Sequence, residues 1–375
     1  MALGLRRCHR ASFFTVRIRQ GACKGSALLD VWWRKALSAL ACHVAEDARV
    51  LLPIGDWPRL DCAAQFYRIT DTLVAVDGFD AILIHKGMLT SFRQADIGLY
   101  LREMVAVYAN PVFVLFVQQP RLRHLFLPAH VRILKIYADP ARYHSRHARR
   151  GAFMHIPKTG GTSIWSCLSR SVRSTVYFAS DATLAAFDGD LDAFELVGGH
   201  IHAETLVARN WQSPTFFVLR DPVRRVLSAI AHARRTDGNL ATFDESFHVM
   251  RQIDGTAPDE NLRKIIFYEG NLQIRMLAER PGDDLHDPAT REAMYRRACA
   301  RLEQSGWQYG CLEDPVVLAR RISDRFGVRT AKLPHLNRTA QRGLPDYARQ
   351  IEELVLDEDN CMDIKLYRKA LALQR

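Results

Sequence analysis

The sequence predicts an α/β protein whose main sheet is parallel and flanked by helices, with a smaller α/β domain before it. Short β-branched or aromatic runs alternate with helical stretches along the chain, which is typical of parallel β-α-β units. A strand-like run at 152–156 passes through a glycine-rich loop into a helix. The chain has 375 residues, of which 48% are hydrophobic and 25% charged, so a large core is expected and wholesale disorder is not.

A cation-rich segment, residues 139–150, divides the chain, because it contains a proline and almost no apolar side chains and therefore indicates a surface linker. Residues 30–138 before it form the small domain, to which we assign no activity. Residues 151–375 after it form the larger domain. Residues 1–29 are basic and contain no acidic residue, which indicates a loose tail or, alternatively, a transit peptide.

Local patterns predict the elements of each domain. In the small domain a helix is expected at 94–107, and the strands are expected to form a parallel sheet at 49–54, 80–85, 111–117 and 131–137. In the larger domain the expected strands are 152–156, 194–198, 214–219 and 307–312. The expected helices are 162–171, 222–235, 259–280, 288–304, 313–327 and 345–372.

Two local features refine the helix predicted at 222–235. Asp221 is suited to cap its start, and Pro222 is suited to its first turn. The arginines of this helix are expected on a solvated face, and binding of an acceptor substrate is the alternative. They are Arg224, Arg225, Arg234 and Arg235.

The net charge of +11 indicates an anionic partner, such as nucleic acid, a membrane surface, a nucleotide or an acidic polysaccharide, without choosing among them.

The eight cysteines are scattered, with no CxxC and no metal-binding spacing. We therefore expect reduced thiols and no metal. No stretch approaches the ~20 apolar residues that a membrane-spanning helix needs.

The glycine-rich loop at 155–163, HIPKTGGTS, has the chemistry of a phosphate-binding socket. Two glycines allow successive backbone N–H groups to point at one spot, and the following helix adds its own unpaired N–H groups. Lys158 supplies a full charge. The residues expected to bind phosphate are Lys158, Thr159, Gly160, Gly161, Thr162 and Ser163.

The register of this loop differs from that of an ordinary ATPase. A P-loop NTPase places its lysine and a hydroxyl residue directly after the last glycine, whereas Lys158 precedes both glycines here. No strand ending in a Walker-B aspartate is evident either. The loop is therefore expected to bind phosphate in another class of enzyme.

This loop resembles the 5′-phosphosulfate loop of the carbohydrate sulfotransferases, particularly the group that includes heparan sulfate 2-O-sulfotransferase. A second segment, 216–228, resembles the 3′-phosphate motif of the same family, in which a strand-terminal arginine and a serine on the next helix grip the phosphate. Arg220 and Ser228 hold those positions. The resemblance covers 151–375 and implies a sheet similar to that of P-loop nucleotide kinases, with 3′-phosphoadenosine 5′-phosphosulfate as the sulfate donor.

Three shorter segments, 271–275, 333–338 and 363–367, are also similar to motifs of that family. The second of them resembles a loop that lies near the nucleotide in relatives, which implies that Arg338 contacts the donor. Each of these matches is weak on its own.

The resemblance also implies a general base, because the acceptor hydroxyl must lose a proton. The 2-O-sulfotransferase group carries a His-Gly-His pattern at a strand end, and His200 matches its second histidine. Gly198 replaces the first, which leaves any auxiliary role of that position in doubt. His202 and Glu204 stay open as alternatives, since some related enzymes use a glutamate. Lys158 is the expected stabiliser of the leaving phosphate.

The resulting expectation is transfer of a sulfuryl group to a hydroxyl, on a carbohydrate or another acceptor, without a metal and without nucleic acid as a partner. A P-loop nucleotide or small-molecule kinase and a non-catalytic protein that binds anionic polysaccharides are the alternatives. Similar enzymes of animal cells carry an N-terminal membrane anchor that this sequence lacks. We therefore expect a cytoplasmic, bacterial protein, with peripheral membrane association and the oligomeric state left open.

Overall fold

The protein is described by a computed structural model, in which two five-stranded sheets account for the strands. The described residues are 31–45, 47–53, 63–67, 78–120, 125–143, 150–235, 250, 259–328, 348–356 and 361–374. No helix in these ranges is long and apolar enough to cross a membrane.

The first sheet has the order β2-β1-β3-β5-β4 and is mixed, so the predicted parallel sheet is wrong. Its strands are β1 (Arg49–Pro53), β2 (Ala63–Tyr67), β3 (Ala81–His85), β4 (Val105–Ala109) and β5 (Phe113–Val117). β1 pairs parallel with β2 and β3, whereas β5 pairs antiparallel with β3 and β4. The cause is a tight turn between β4 and β5, where the Asn110 side chain accepts hydrogen bonds from the N–H groups of Val112 and Phe113.

Two further predictions in this part of the chain are corrected. The helix expected at 94–107 ends at Glu103, because the β-branched residues that follow join β4. The strand expected at 131–137 is a helix. Its buried residues Val131, Leu134 and Tyr137 recur every three positions, which is a helical period and not a strand alternation. The helices here are α1 (Val31–His43), α2 (Gln94–Glu103) and α3 (Ala129–Ala138).

The second sheet is parallel throughout, as predicted, with the order β10-β9-β6-β8-β7 and helices around it. Its strands are β6 (Gly151–Met154), β7 (Thr175–Phe178), β8 (Leu196–Gly199), β9 (Thr215–Leu219) and β10 (Trp307–Cys311). Of these, β7 was not expected from the sequence. β6 and β9 are buried along their whole length, as expected of central strands between two helical layers.

The helices of this part are α4 (Gly161–Ser171), α5 (Asp181–Ala185), α6 (Ala203–Ala208), α7 (Pro222–Arg235), α8 (Asp259–Gly270), α9 (Leu272–Ala278), α10 (Pro288–Glu303), α11 (Pro315–Phe326), α12 (Ala348–Leu356) and α13 (Met362–Gln374). The Asp221 carboxylate caps α7 as expected, accepting from the Arg224 N–H at 2.9 Å. The helix predicted at 259–280 is interrupted at Asn271, and the one predicted at 345–372 is present as two described pieces.

The buried cores of the two sheets are continuous. Tyr137 of α3 donates a hydrogen bond to the Phe92 carbonyl at 2.7 Å, and its ring lies 6.5 Å from that of Phe194, next to the second sheet. Most of the predicted linker, residues 144–149, lies outside the described residues.

The order of the strands reverses beside β6. From this central strand the chain first builds β7 and β8 on one side and then β9 and β10 on the other. At such a reversal the loops that follow the strands diverge, which opens a crevice at the carboxyl ends. The segments after β6, β8 and β9 carry the predicted loop, His200 and Arg220.

Candidate functional site

The loop between β6 and α4 has the backbone of an anion socket. Lys158 and Gly160 both adopt left-handed conformations, with φ of 67° and 80°, and Thr159 lies between them. The backbone N–H groups of residues 159–162 donate no hydrogen bond to any residue that the structure describes. Four successive donors at the start of a helix, beside its positive dipole end, suit a phosphate or sulfate group.

Close contacts explain both glycines of the loop. A Cβ atom on Gly160 would lie 2.9 Å from a methyl group of Leu312, and the left-handed backbone itself disfavours a side chain. A Cβ atom on Gly161 would lie 2.0 Å from Cδ2 of His155. The edge of the His155 ring therefore rests against the first residue of α4.

The three hydroxyl residues of the loop differ in position. Thr159 is fully buried, and its hydroxyl donates to the Ile156 carbonyl at 2.9 Å, so this side chain shapes the loop from inside. Thr162 is exposed in the first turn of α4, and Ser163 is half-buried. The hydroxyls of Thr162 and Ser163 are thus better placed for a ligand than that of Thr159.

Arg220 brings the second predicted phosphate motif to the first. It follows β9, which pairs with β6, and its Nη1 donates to the Lys158 carbonyl at 2.8 Å. Burial lowers the pKa of its guanidinium; the charges of Glu313 and Asp221 raise it, whereas those of Arg225 and Arg224 lower it further. A partly buried guanidinium is stabilised by a further anion, which is the property expected of a phosphate-binding arginine.

Gln273 holds the backbone of Arg220 on both sides. Its Oε1 accepts from the Arg220 N–H, and its Nε2 donates to the Arg220 carbonyl, both at 2.9 Å. The buried Asp363 carboxylate in turn accepts from the N–H groups of Gln273 and Ile274, at 2.9 and 2.7 Å. The weak sequence matches at 271–275 and 363–367 therefore contain residues that support the site, a role that their local pattern did not reveal.

The other predicted donor contacts are less defined. Ser228 is half-buried on α7, and its side chain forms no hydrogen bond with a described residue. Arg338 lies outside the described residues. The expected solvated face of α7 is wrong for Arg225, which is fully buried and pairs with Glu269 at 3.0 Å.

His200 lies directly after β8, and one of its two ring nitrogens forms a hydrogen bond with a described residue. Its Nδ1 lies 2.8 Å from the His155 carbonyl, which can only accept, so Nδ1 carries the hydrogen. In the neutral ring Nε2 then keeps its lone pair, and it has no hydrogen-bond partner among the described residues. Burial lowers the pKa of His200 and the charge of Lys158 lowers it further, although the hydrogen bond to His155 raises it. The net lowering of the pKa favours the neutral ring, in which Nε2 carries the lone pair.

The two alternative bases are engaged elsewhere. His202 contacts Asp181 through Nδ1 and lies 3.8 Å from Glu279 through Nε2. Glu204 accepts from Arg301 at 2.8 Å and lies 3.4 Å from Arg280. Burial alone would raise the pKa of Glu204, but these arginines lower it below its ordinary value. A carboxylate with two cationic partners is a weak proton acceptor.

The glycine at 198 also has a structural reason. A Cβ atom there would lie 2.3 Å from the Trp165 ring, so a larger residue would displace this tryptophan. The second imidazole near His200 is instead that of His155, with ring centroids 4.3 Å apart. Sequence reasoning missed this pair, because His155 was considered only as part of the loop.

No protein-family model matches the chain, and no curated protein matches it significantly. Among the described residues no group of three or more His, Cys, Asp or Glu side chains could hold a metal ion. The site therefore stands on its own geometry. It combines an anion socket, a partly buried arginine and a neutral imidazole at the edge of three adjacent strands.

Proposed function

We propose that the protein is a sulfotransferase that uses 3′-phosphoadenosine 5′-phosphosulfate and transfers the sulfuryl group to a hydroxyl of a carbohydrate. The observation that carries this proposal is the 2.8 Å hydrogen bond from Arg220 Nη1 to the Lys158 carbonyl. This hydrogen bond joins the segment after β6 to the segment after β9, 62 residues apart in the chain, and we assign an anion-binding role to each of them. A donor with phosphate at both its 3′ and 5′ positions needs two such elements.

Each residue has a distinct task in this mechanism. Lys158 and the N–H groups of residues 159–162 stabilise the charge that develops on the leaving phosphate oxygen. Arg220 binds the 3′-phosphate, with Ser228 as a second donor. His200 Nε2 takes the proton of the acceptor hydroxyl, whose oxygen forms a bond to sulfur as the bond from sulfur to the phosphate oxygen breaks.

The neutral state of His200 supports this role. Burial and the charge of Lys158 lower the pKa of His200, which favours the neutral ring, and Nε2 of the neutral ring need not first lose a proton. The second candidate function, a P-loop kinase, is favoured by the parallel sheet alone. The position of Lys158 before both glycines argues against it, since the hydroxyl that would hold Mg²⁺ is missing from its usual place.

Calorimetry tests the donor. The wild-type protein should bind adenosine 3′,5′-bisphosphate without Mg²⁺. Arg220→Ala should weaken this binding by about 10- to 100-fold, as expected for loss of a charged hydrogen bond, with little effect on binding of AMP. Lys158→Ala should weaken binding of both nucleotides. Equal losses for the two nucleotides in Arg220→Ala would exclude the assignment of the 3′-phosphate.

Turnover tests the reaction. The protein is incubated with sulfur-labelled donor and a panel of desulfated polysaccharides, and the labelled product is measured. His200→Ala should lower the rate by about 10²- to 10⁴-fold, the usual contribution of a general base, while donor binding persists. Mg²⁺-dependent ATP turnover in place of sulfate transfer would establish the kinase instead.

A further inference from the structure

Three aromatic side chains from three different segments meet behind the inferred base. His155 Nδ1 lies 2.6 Å from the Tyr177 hydroxyl, and the ring centroids of His155 and His200 are 4.3 Å apart. Tyr177 also meets the His200 ring edge-on, at 5.9 Å and an interplanar angle of 87°. Trp165 packs against Tyr177 from the other side, with centroids 5.0 Å apart.

We propose that Tyr177 and His155 are positioning residues, which fix the ring orientation and the tautomer of His200. This inference rests on the proposed function of His200 as the base. His155 acts through two groups, its ring, which packs on His200, and its backbone carbonyl, which receives the His200 Nδ1 hydrogen. Tyr177 acts through His155, because its hydroxyl holds the ring that packs on His200.

The hydrogen-bond direction between Tyr177 and His155 is part of the proposal, since a tyrosine hydroxyl can donate to Nδ1 or accept from it. The Tyr177 hydroxyl has one hydrogen, and within the described residues its only hydrogen-bond partner is His155 Nδ1. In this proposal the Tyr177 hydroxyl donates to Nδ1, which leaves the hydrogen of the neutral His155 ring on Nε2, at the ring edge that faces Gly161. The two histidines therefore carry opposite tautomers, Nε2–H in His155 and Nδ1–H in His200.

Burial favours the neutral forms of His155 and Tyr177, the two neighbours of His200. Burial, together with the charges of His200 and Lys158, holds the pKa of His155 well below its ordinary value. Burial raises the pKa of Tyr177. Of the titratable groups around His200, which are His155, Tyr177 and Lys158, only Lys158 is then charged near pH 7.

The matched variants are Tyr177→Phe and His155→Phe, which keep a ring in place but remove the hydrogen bond. Tyr108→Phe is the control, because it too removes a tyrosine hydroxyl that takes part in a hydrogen bond, here as the acceptor from Asn110 in the first sheet, far along the chain from the site. With the acceptor identified by the polysaccharide panel, Tyr177→Phe should lower kcat about tenfold and change KM for the donor less than twofold. Tyr108→Phe should leave both constants unchanged.

The two substitutions should not be additive, because they break the same hydrogen bond. The double variant should be no slower than His155→Phe alone. Additive losses, or a loss confined to KM, would overturn the positioning role, since both indicate general damage to the fold or to donor binding.

Nitrogen-15 NMR of the imidazole rings gives a readout that needs no turnover. In the wild-type protein His155 should show the Nε2–H tautomer and His200 the Nδ1–H tautomer. Tyr177→Phe should convert His155 to a mixture. The Nδ1–H form of His155 in the wild type would overturn the inference even if sulfate transfer is found. Absence of sulfate transfer with the expected tautomers would instead reject the proposed function, and with it the role of His200 as a base.

Discussion

Substitution of Gly161 by alanine is expected to distort the site, because the new methyl group meets the His155 ring. The added Cβ would lie 2.0 Å from Cδ2 and 2.3 Å from Nε2. Carbon atoms in contact are normally about 3.5–4.0 Å apart, so one partner must move by roughly 1.5 Å. The ring cannot swing away freely, since it bonds Tyr177 at 2.6 Å and packs on His200 at 4.3 Å.

The expected loss is about 2–3 kcal/mol in the free energy of unfolding, the upper part of the range for an overpacked core. Urea unfolding followed by tryptophan fluorescence measures it as a lower midpoint. Binding of adenosine 3′,5′-bisphosphate should weaken at least tenfold, because the displaced backbone is the one whose N–H groups form the socket. The loss of binding should exceed what partial unfolding alone produces.

Two controls make this reasoning refutable. Gly306→Ala adds the same methyl group where no atom lies within 4 Å, and it should be neutral. Adding His155→Ala to Gly161→Ala removes the clashing ring, so the double variant should be no less stable than His155→Ala alone. A Gly161→Ala protein that unfolds and binds like the wild type would show that the ring does not confine the loop.

Three further predictions concern other parts of the molecule. Gln273→Met removes both hydrogen bonds to the Arg220 backbone without a large change in volume. It should lower the free energy of unfolding by about 2–4 kcal/mol and weaken nucleotide binding, measured by urea unfolding and calorimetry. Burial lowers the pKa of His85 to about 4. As the pH falls below about 6.5, His85 therefore takes up a proton in the unfolded chain before it does so in the folded protein. The free energy of unfolding should drop by on the order of 3 kcal/mol by pH 4. His85→Phe should remove this part of the acid sensitivity, compared by urea midpoints at pH 7.5 and 4.5. Glu204→Gln should keep sulfate transfer within about threefold of wild type after correction for stability, because its carboxylate is paired with Arg301; a loss as large as that of His200→Ala would make Glu204 the base.

Buried central strands were predictable because their sequences are continuous apolar runs followed by a turn. β6, β8 and β9 were all expected within two residues of where they lie. Strand β7 was missed, since its four residues Thr175–Phe178 are too short to establish a pattern. The helix at 129–138 was mistaken for a strand. A short apolar run fits the helical period and the strand alternation equally well, and only its packing in the fold distinguishes the two.

The candidate site likewise contains features that a local sequence pattern indicates and features that depend on contacts between distant segments. The loop at 155–163 and the arginine at 220 could be proposed from the sequence, because the chemistry assigned to each depends on residues close together in the chain. Contacts between distant segments were not. Tyr177 meets His155 over 22 residues and Gln273 holds Arg220 over 53, and no local pattern marks either pair. The choice among His200, His202 and Glu204 likewise depended on partners such as Asp181 and Arg301.

The support of Arg220 has a consequence for the order in which the protein is made. Gln273 is synthesised 53 residues after Arg220, and Asp363, which anchors Gln273, follows 90 residues later. A ribosome adds about 5–20 residues per second, so the loop after β6 is translated many seconds before the residue that completes its support. A nascent chain that stops before residue 363 would carry every predicted ligand-binding residue and still lack a fixed Arg220. Nucleotide binding would then report complete translation of the chain.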